Sequence, residues 1–182
     1  MKICVIGTGT MAKGIVKAFA AKMPVVMKSR TQESLDKAMA SISKGYNKLV
    51  EKGKITEDAM KAILGNITTT TDYATFADAD LVIEAAVENM QLKKDVFMEL
   101  DKICKPETIY ATNSSSLSIT EIAACTSRPA QFIGCHFFNP ADRMALVEVI
   151  KGQLTSEETA KCIVDLTTEI GKTPVPVNEA PG

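Results

Sequence analysis

The chain has 182 residues, of which 46% are hydrophobic and 24% are charged, and its formal net charge is −1. These values are typical of a folded globular chain of one domain or slightly more, and they exclude an intrinsically disordered protein. A charge so close to zero gives no electrostatic reason to expect binding to nucleic acid or to a membrane surface.

The five cysteines are widely scattered, and none of them forms a Cys-x-x-Cys pair. They therefore predict reduced thiols and neither a metal site nor a redox pair. The N-terminal residues are unlike a signal peptide, and no apolar run approaches the ~20 residues of a membrane-spanning helix. We therefore expect a cytoplasmic protein.

Signals for strands and helices alternate along the chain. Short runs rich in β-branched residues predict strands within 2–7, 24–28, 66–72, 79–86, 108–113, 128–140 and 145–150. Amphipathic spacing predicts helices at about 10–22, from 32 to a break near Gly53, and at 56–64, 89–103 and 156–170. This order predicts an α/β, Rossmann-type, doubly wound and mostly parallel sheet with a helical-hairpin insertion after the second strand. The segment TPVPVNEAPG closes the chain, and no element is predicted in it.

The motif GTGTMA follows the first strand and opens the first helix. Gly7 allows a tight turn, and Gly9 lets the backbone approach a pyrophosphate whose charge faces the helix N-terminus. Thr10 and Met11 begin that helix and belong to the same predicted contact. The motif therefore predicts a dinucleotide site, although a glycine-rich turn that binds nothing has the same letters.

The second strand ends in Ser29 and Arg30, where a carboxylate is expected in a site for NAD. A carboxylate there accepts hydrogen bonds from the ribose hydroxyls and repels the additional phosphate of NADP. A hydroxyl and a guanidinium reverse both effects, because Arg binds phosphate with two parallel hydrogen bonds. We therefore expect NADP in preference to NAD, and the alternative is a solvated surface Arg.

The reaction is predicted to lie within residues 112–148. Asn113 and the serines of TNSSSLSIT follow the fifth strand, at the carboxyl edge of the sheet where ligands bind in this architecture. His136 ends another apolar strand and can exchange a proton near neutral pH. Glu148 lies in the apolar run LVEVI and needs a partner, for which His136 is the nearest candidate. A structural histidine and an exposed edge-strand charge remain the alternatives.

Cys135 and Ser115 are weaker candidates, each as the nucleophile of a covalent mechanism. Cys135 adjoins His136, but strand alternation sends their side chains to opposite faces. Ser115 lacks the Gly-x-Ser-x-Gly sequence of a nucleophile elbow. Neither residue is therefore predicted to form a covalent intermediate.

The long helix after residue 32 has a second face with a different character. Its polar positions recur at nearly helical spacing and are mostly cationic: Lys37, Ser41, Lys44, Lys48 and Lys52. Such a stripe predicts either a local site for an anionic ligand or a plain solvated helix face.

Several motifs together resemble the 3-hydroxyacyl-CoA dehydrogenase family, and most of all its short-chain 3-hydroxybutyryl-CoA branch. They are GTGTMAKGI, DLVIEAAVENMQLKKDVF, ATNSSSLSIT, GCHFFNPADRMALVEVI and the terminal NEAPG, so that the resemblance covers residues 1–182. It implies an oxidoreductase that interconverts (S)-3-hydroxybutyryl-CoA and acetoacetyl-CoA by hydride transfer with a nicotinamide dinucleotide. It also implies a homodimer formed through a further domain.

The resemblance assigns roles position by position. It implies that His136 is the general base, that Glu148 orients its imidazole, and that Ser115 binds the substrate oxygen. It further implies cofactor contacts by Glu88, Lys93 and Asn139. In the cationic stripe it implies contacts to the CoA moiety by Ser41 and Lys48, with Lys52 and Lys54 as weaker candidates.

Three departures from the family pattern matter. The acidic residue after the second strand is absent, and Asp142, Arg143 and Ala145 replace the usual Pro, aliphatic residue and Lys. Family members also continue past EAPG into a helical dimerisation domain of roughly a hundred residues, and this chain stops before it. We therefore expect residues 1–182 to be the cofactor domain, with weak or no turnover alone because substrate positioning supplies much of the rate. The alternatives are a non-catalytic NADP-binding module and a reductase of another small carbonyl.

Overall fold

The computed structural model of the protein describes residues 1–180. The strands are β1 (Ile3–Ile6), β2 (Val25–Lys28), β3 (Ile67–Thr70), β4 (Leu81–Glu84), β5 (Ile109–Thr112), β6 (Phe132–Phe137), β7 (Leu146–Lys151) and β8 (Thr173–Asn178). The helices are α1 (Thr10–Ala20), α2 (Gln32–Glu51), α3 (Glu57–Gly65), α4 (Met90–Leu100), α5 (Ile119–Ala123) and α6 (Glu157–Glu169). Two short 3-10 helices span Tyr73–Phe76 and Pro129–Gln131. Pro181 and Gly182, which end the NEAPG motif, lie outside the described residues.

Within residues 1–180 the strands form one sheet in the order β3-β2-β1-β4-β5-β6-β7-β8. Neighbouring strands from β3 to β6 pair in parallel, which is the order of a doubly wound dinucleotide-binding sheet. The strand order reverses between β1 and β4, so a crevice opens there at the carboxyl ends of the strands. The predicted α/β Rossmann-type fold is confirmed, including the α2–α3 hairpin between β2 and β3.

The core lies on both faces of the sheet because successive strand residues point to opposite sides. Val5, Met27 and Ile83 pack in one cluster with α1 and α2. Cys4 and Val82, their neighbours in sequence, belong to a second cluster with α4. This two-sided burial is the reason that the strands appear in the sequence as continuous apolar runs.

The edge of the sheet beyond β6 differs from the sequence prediction. β7 runs antiparallel to β6, and β8, in which no element was predicted, pairs parallel to β7. Pro174 and Pro176 weaken the sequence signal for a strand, because proline donates no backbone hydrogen bond. They are two residues apart, so both missing N–H groups lie on the same side of this edge strand and the pairing with β7 survives.

The segment after β5 also holds a short helix that was not predicted, α5. The side chain of Ser118 accepts a hydrogen bond of 3.1 Å from the backbone N–H of Glu121, and Glu179 Oε2 accepts one of 2.8 Å from the N–H of Thr120. The sequence Ser-Ile-Thr-Glu carries the letters of a capping box, which is the signal that could have predicted this helix. Among the described residues, no helix combines the length and the apolar character needed to cross a membrane.

Candidate active site

A groove of about 620 Å³ lies at the carboxyl edge of the sheet, at the point where the strand order reverses. This volume is within the range of small-molecule and cofactor sites. Eight of the predicted cofactor residues line it: Gly7, Gly9, Thr10, Met11, Ser29, Arg30, Glu88 and Asn113. The structure therefore brings together residues from the ends of four strands.

The glycine turn after β1 forms the floor of the groove. Gly7 has a φ of +122°, and a Cβ atom at this position would lie 2.7 Å from the carbonyl oxygen of Ala85. A Cβ added at Gly9 would meet no atom within 4 Å, so its backbone faces open space. No side chain caps the N-terminus of α1, and its free N–H groups favour an anion. The turn thus leaves room and polarity for a pyrophosphate.

The far end of the groove is cationic. Arg30 is exposed, and Ser29 is held by a 3.2 Å hydrogen bond from its N–H to the carbonyl oxygen of Thr70. Lys28 lines the same end and is only 4% exposed, with its Nζ atom 3.3 Å from the centroid of the Tyr73 ring. Sequence analysis did not single out Lys28 or Tyr73 as site residues.

At the other end of the groove, three side chains form a line. Ser115 Oγ lies 3.2 Å from His136 Nε2, and His136 Nδ1 lies 2.8 Å from Glu148 Oε2. His136 and Glu148 are directly paired residues on the antiparallel strands β6 and β7. In the tautomer that carries its hydrogen on Nδ1, the imidazole donates to Glu148, and Nε2, the nitrogen nearest to Ser115, can accept a proton. Cys135 faces the core, where burial raises its pKa to about 12.

A buried ionic network lies behind the groove. Lys93 Nζ donates to both oxygens of Glu84, at 2.9 and 2.8 Å, and neither side chain has any exposed surface. Thr112 Oγ1 and the backbone N–H of Ala86 also donate to the Glu84 carboxylate, at 2.7 and 2.6 Å. The buried charges are therefore paired and hydrogen-bonded, which is the condition under which a protein tolerates them.

Glu88 connects this network to the loop that carries Ser115. One carboxylate oxygen lies 3.3 Å from Lys93 Nζ, and the other accepts hydrogen bonds from the hydroxyl of Ser114 and, at 2.9 Å, from the N–H of Ser115. Partial burial alone would raise the pKa of Glu88, but the hydrogen bond from Ser114 and the charge of Lys93 outweigh it and lower that pKa. Glu88 therefore stays ionised on the wall of the groove.

Two predicted cofactor contacts are placed differently from the rest. Lys93 lies behind the wall of the groove, with Glu88 in front of it and no exposed surface of its own. Asn139 lines a separate cavity of about 140 Å³ between α1, α2 and the loop before β7. Their assignment as cofactor contacts stays a prediction.

The predicted CoA contacts lie on the outer face of α2. Ser41 accepts a 3.1 Å hydrogen bond from Lys13 Nζ and lines the same small cavity as Asn139. Lys48 and Lys52 are exposed, and no carboxylate of residues 1–180 lies within 4.0 Å of either ammonium. Lys37 differs because it pairs with Glu33 one turn earlier, at 2.5 Å. The cationic face therefore begins after Lys37.

Comparison with known proteins identifies the family of this chain. Residues 2–180 match the family model described as 3-hydroxyacyl-CoA dehydrogenase, NAD binding domain. The chain belongs to the 3-hydroxyacyl-CoA dehydrogenase family. Within residues 1–180, no three His, Cys, Asp or Glu side chains are grouped as a metal site.

Members of this family are similar to the chain over its whole length. It is 53% identical to a 3-hydroxybutyryl-CoA dehydrogenase of Clostridioides difficile and 50% identical to a probable 3-hydroxybutyryl-CoA dehydrogenase of Deinococcus radiodurans, each over 183 aligned residues. It covers 65% and 66% of the lengths of these curated relatives. The crystal structure of the (S)-3-hydroxybutyryl-CoA dehydrogenase from Ralstonia eutropha superposes with a TM-score of 0.96 at 40% identity, covering 100% of this chain and 64% of that one.

The groove of this family member fits the dinucleotide that the family description implies. The open space at Gly9, the uncapped start of α1 and the cationic β2 end suit a pyrophosphate and an adenosine moiety, in that order along the groove. Ser115 and Asn113 line the opposite end, where the nicotinamide would lie next to His136.

Proposed function

We propose that the chain is the cofactor domain of an NADP-dependent enzyme that interconverts (S)-3-hydroxybutyryl-CoA and acetoacetyl-CoA. The observation that carries this proposal is the line Ser115–His136–Glu148 at the end of the groove. It joins a proton acceptor, a hydroxyl donor and an orienting carboxylate beside the expected nicotinamide position. The names of the C. difficile and R. eutropha relatives support the substrate class.

The site residues have complementary roles in this reaction. A bound nicotinamide supplies the acceptor or donor of hydride. His136 Nε2 takes the proton of the C3 hydroxyl when the alcohol is oxidised, and returns it when the ketone is reduced. Glu148 stabilises the imidazolium that forms, through the hydrogen bond at Nδ1. The hydroxyl of Ser115 holds the substrate oxygen close to the imidazole.

The charge at the adenosine end of the groove favours NADP. Arg30 is exposed at the adenosine end of the groove, and no carboxylate of residues 1–180 forms an ion pair with it. A free guanidinium at this position attracts the phosphate on the adenosine ribose of NADP. Ser29 provides no negative charge that would repel that phosphate.

The outer face of α2 supports a CoA ester as the substrate. Lys44, Lys48 and Lys52 form an unpaired cationic stripe next to the cavity that Ser41 and Asn139 line. Coenzyme A carries several phosphate charges, which such a stripe can bind on a protein that is otherwise almost neutral. The acyl group would then extend toward His136.

Reduction of acetoacetyl-CoA tests the whole proposal. The protein is assayed in the form that its source produces, with NADPH and with NADH, by loss of cofactor absorbance and by detection of the hydroxyacyl product. We expect turnover with NADPH, slower or weaker use of NADH, and loss of turnover in His136→Gln with NADPH binding retained. NADPH binding without turnover would instead indicate a non-catalytic module. Turnover only of ketones without CoA would indicate another carbonyl reductase.

A further inference from the structure

Lys28 is the last residue of β2, and its burial is unusual for a lysine. It is 4% exposed, yet no carboxylate of residues 1–180 lies within ion-pair distance of its ammonium. Within the described chain, the partner recorded for this ammonium is the ring of Tyr73, whose centroid lies 3.3 Å from Nζ. A buried charge without a counterion is costly, so the burial of a lysine at this position needs an explanation beyond packing.

The charges around Lys28 act in both directions. Burial lowers the pKa of Lys28; the charges of Glu99 and Asp72 oppose this shift, and the charge of Arg30 adds to it. Lys28 and Arg30 thus repel each other at the same end of the groove, which both residues line together with Tyr73. An anion bound between the two cations would relieve the repulsion and would neutralise the buried ammonium.

We propose that Lys28 is a specificity-determining residue, which binds, together with Arg30, the phosphate on the adenosine ribose of NADP. The inference rests on the proposed preference for NADP and extends it to a second cation. A phosphate monoester carries nearly two negative charges at neutral pH, so one guanidinium leaves part of its charge unmatched. Arg30 supplies a bidentate fork from the solvent side, and Lys28 supplies a point charge from the buried side.

Tyr73 has a positioning role in this arrangement. The face of an aromatic ring attracts a cation, so the ring holds the Lys28 ammonium at the groove before any ligand arrives. It does so without neutralising the positive charge, as a carboxylate partner would. The ring thereby keeps Lys28 available to an incoming phosphate.

The inference is tested with two nucleotide probes, 2′,5′-ADP and 5′-AMP, which differ in the ribose phosphate. Their dissociation constants are measured by calorimetry for the unmodified protein, for Lys28→Met and for Arg30→Gln. We expect Lys28→Met to weaken 2′,5′-ADP about tenfold to a hundredfold, as for other charged hydrogen bonds, and to leave 5′-AMP unchanged. Lys22→Met, in the exposed turn after α1, is the matched control and changes neither value.

A second pair of variants keeps the test independent of the folding of Lys28→Met. Tyr73→Phe retains the ring and the affinity for 2′,5′-ADP, whereas Tyr73→Leu lowers that affinity relative to 5′-AMP. Equal weakening of both probes, or no change in either, in Lys28→Met would overturn the role of Lys28.

The failure of this inference is distinguishable from that of the NADP proposal. If the unmodified protein binds both probes equally, the preference for NADP itself is wrong. If the unmodified protein prefers 2′,5′-ADP and only Arg30→Gln loses that preference, Arg30 acts alone and the inference about Lys28 fails.

Discussion

His136 is the only histidine of the chain, and its two ring nitrogens have different neighbours. Nδ1 lies 2.8 Å from Glu148 Oε2, whereas Nε2 lies 3.2 Å from the hydroxyl of Ser115. The imidazole side chain is 16% exposed, so it is largely buried but not closed off from solvent.

Replacement of His136 by Gln removes the proposed proton acceptor and keeps a similar size. We expect kcat to fall about 10²- to 10⁴-fold, the usual contribution of general acid–base catalysis, with little change in NADPH affinity. Steady-state kinetics and a cofactor titration measure the two effects separately.

Phe138→Leu is the control for this variant. The Phe138 ring lies 4.7 Å from the imidazole, centroid to centroid, but it has no proton to exchange. We expect its kcat to stay much closer to that of the unmodified protein. A fully active His136→Gln would show that another group, or water, accepts the proton.

Several residues of the site could be predicted from the sequence alone. His136 and Glu148 stand out because each is a polar residue in an otherwise apolar strand, and their pairing follows once β6 and β7 are antiparallel. Lys28 was not predicted because the sequence shows only a lysine at the end of a strand. It shows neither the face to which the side chain points nor that Tyr73, in another element, lies beside it.

At the scale of elements, β4, β5 and α4 are joined by charge as well as by packing. Glu84 ends β4, Thr112 ends β5 and Lys93 lies on α4. The sequence pattern marked the strands through their apolar residues and assigned no role to Glu84, because it does not show which residue of another element faces this carboxylate. The ion pair instead has no exposed surface.

Lys93→Met should destabilise the protein strongly. It leaves the Glu84 carboxylate buried without a cation, which costs about 3–5 kcal/mol in the free energy of unfolding. Urea denaturation measures this cost, and a change below about 1 kcal/mol would contradict it.

The double variant Glu84→Leu with Lys93→Met is the matched comparison. It removes both charges, and buried ion pairs replaced by apolar residues are often neutral or even stabilising. We therefore expect the double variant to regain much of the stability that Lys93→Met loses. With Glu84→Leu alone as the fourth member, these proteins form a double-mutant cycle whose coupling energy measures the interaction between the two residues.

The cationic face of α2 predicts an effect on substrate binding. Lys48→Ala should raise the KM for acetoacetyl-CoA severalfold and leave kcat nearly unchanged, because it removes binding energy that ground state and transition state share. Lys61→Ala on α3 is the control, since Lys61 is exposed and lies 4.0 Å from Glu57. An unchanged KM in Lys48→Ala would indicate a plain solvated helix face.

Across the molecule, an ion pair connects the loop before β7 to the first helix. Asp142 forms an ion pair with Lys17 on α1, with both side chains 22% exposed. Burial alone would raise the pKa of Asp142, but the hydrogen bond and the charge of Lys17 outweigh it, and the pKa lies below its ordinary value of 3.8. Asp142, which departs from the family pattern, is thus paired with Lys17 in this chain.

This contact predicts a pH dependence of stability. Because folding lowers the pKa of Asp142, its contribution is present above the pKa of the unfolded chain and is lost as the pH falls through the folded value. The difference in unfolding free energy between the protein and Asp142→Asn should therefore shrink between about pH 5 and about pH 2. Denaturation at several pH values measures it, and a difference that stays constant would contradict the assignment.

The direct register between His136 and Glu148 has a consequence for how this segment can vary. The two residues are held opposite each other by the β6–β7 ladder, whose register depends in turn on the length of the connection at residues 138–145. A slip of a single residue in the ladder would turn Glu148 to the opposite face and separate the pair. An insertion or deletion of one residue in the connection should accordingly break this contact although both side chains are still present, whereas replacement of side chains there leaves the register unchanged.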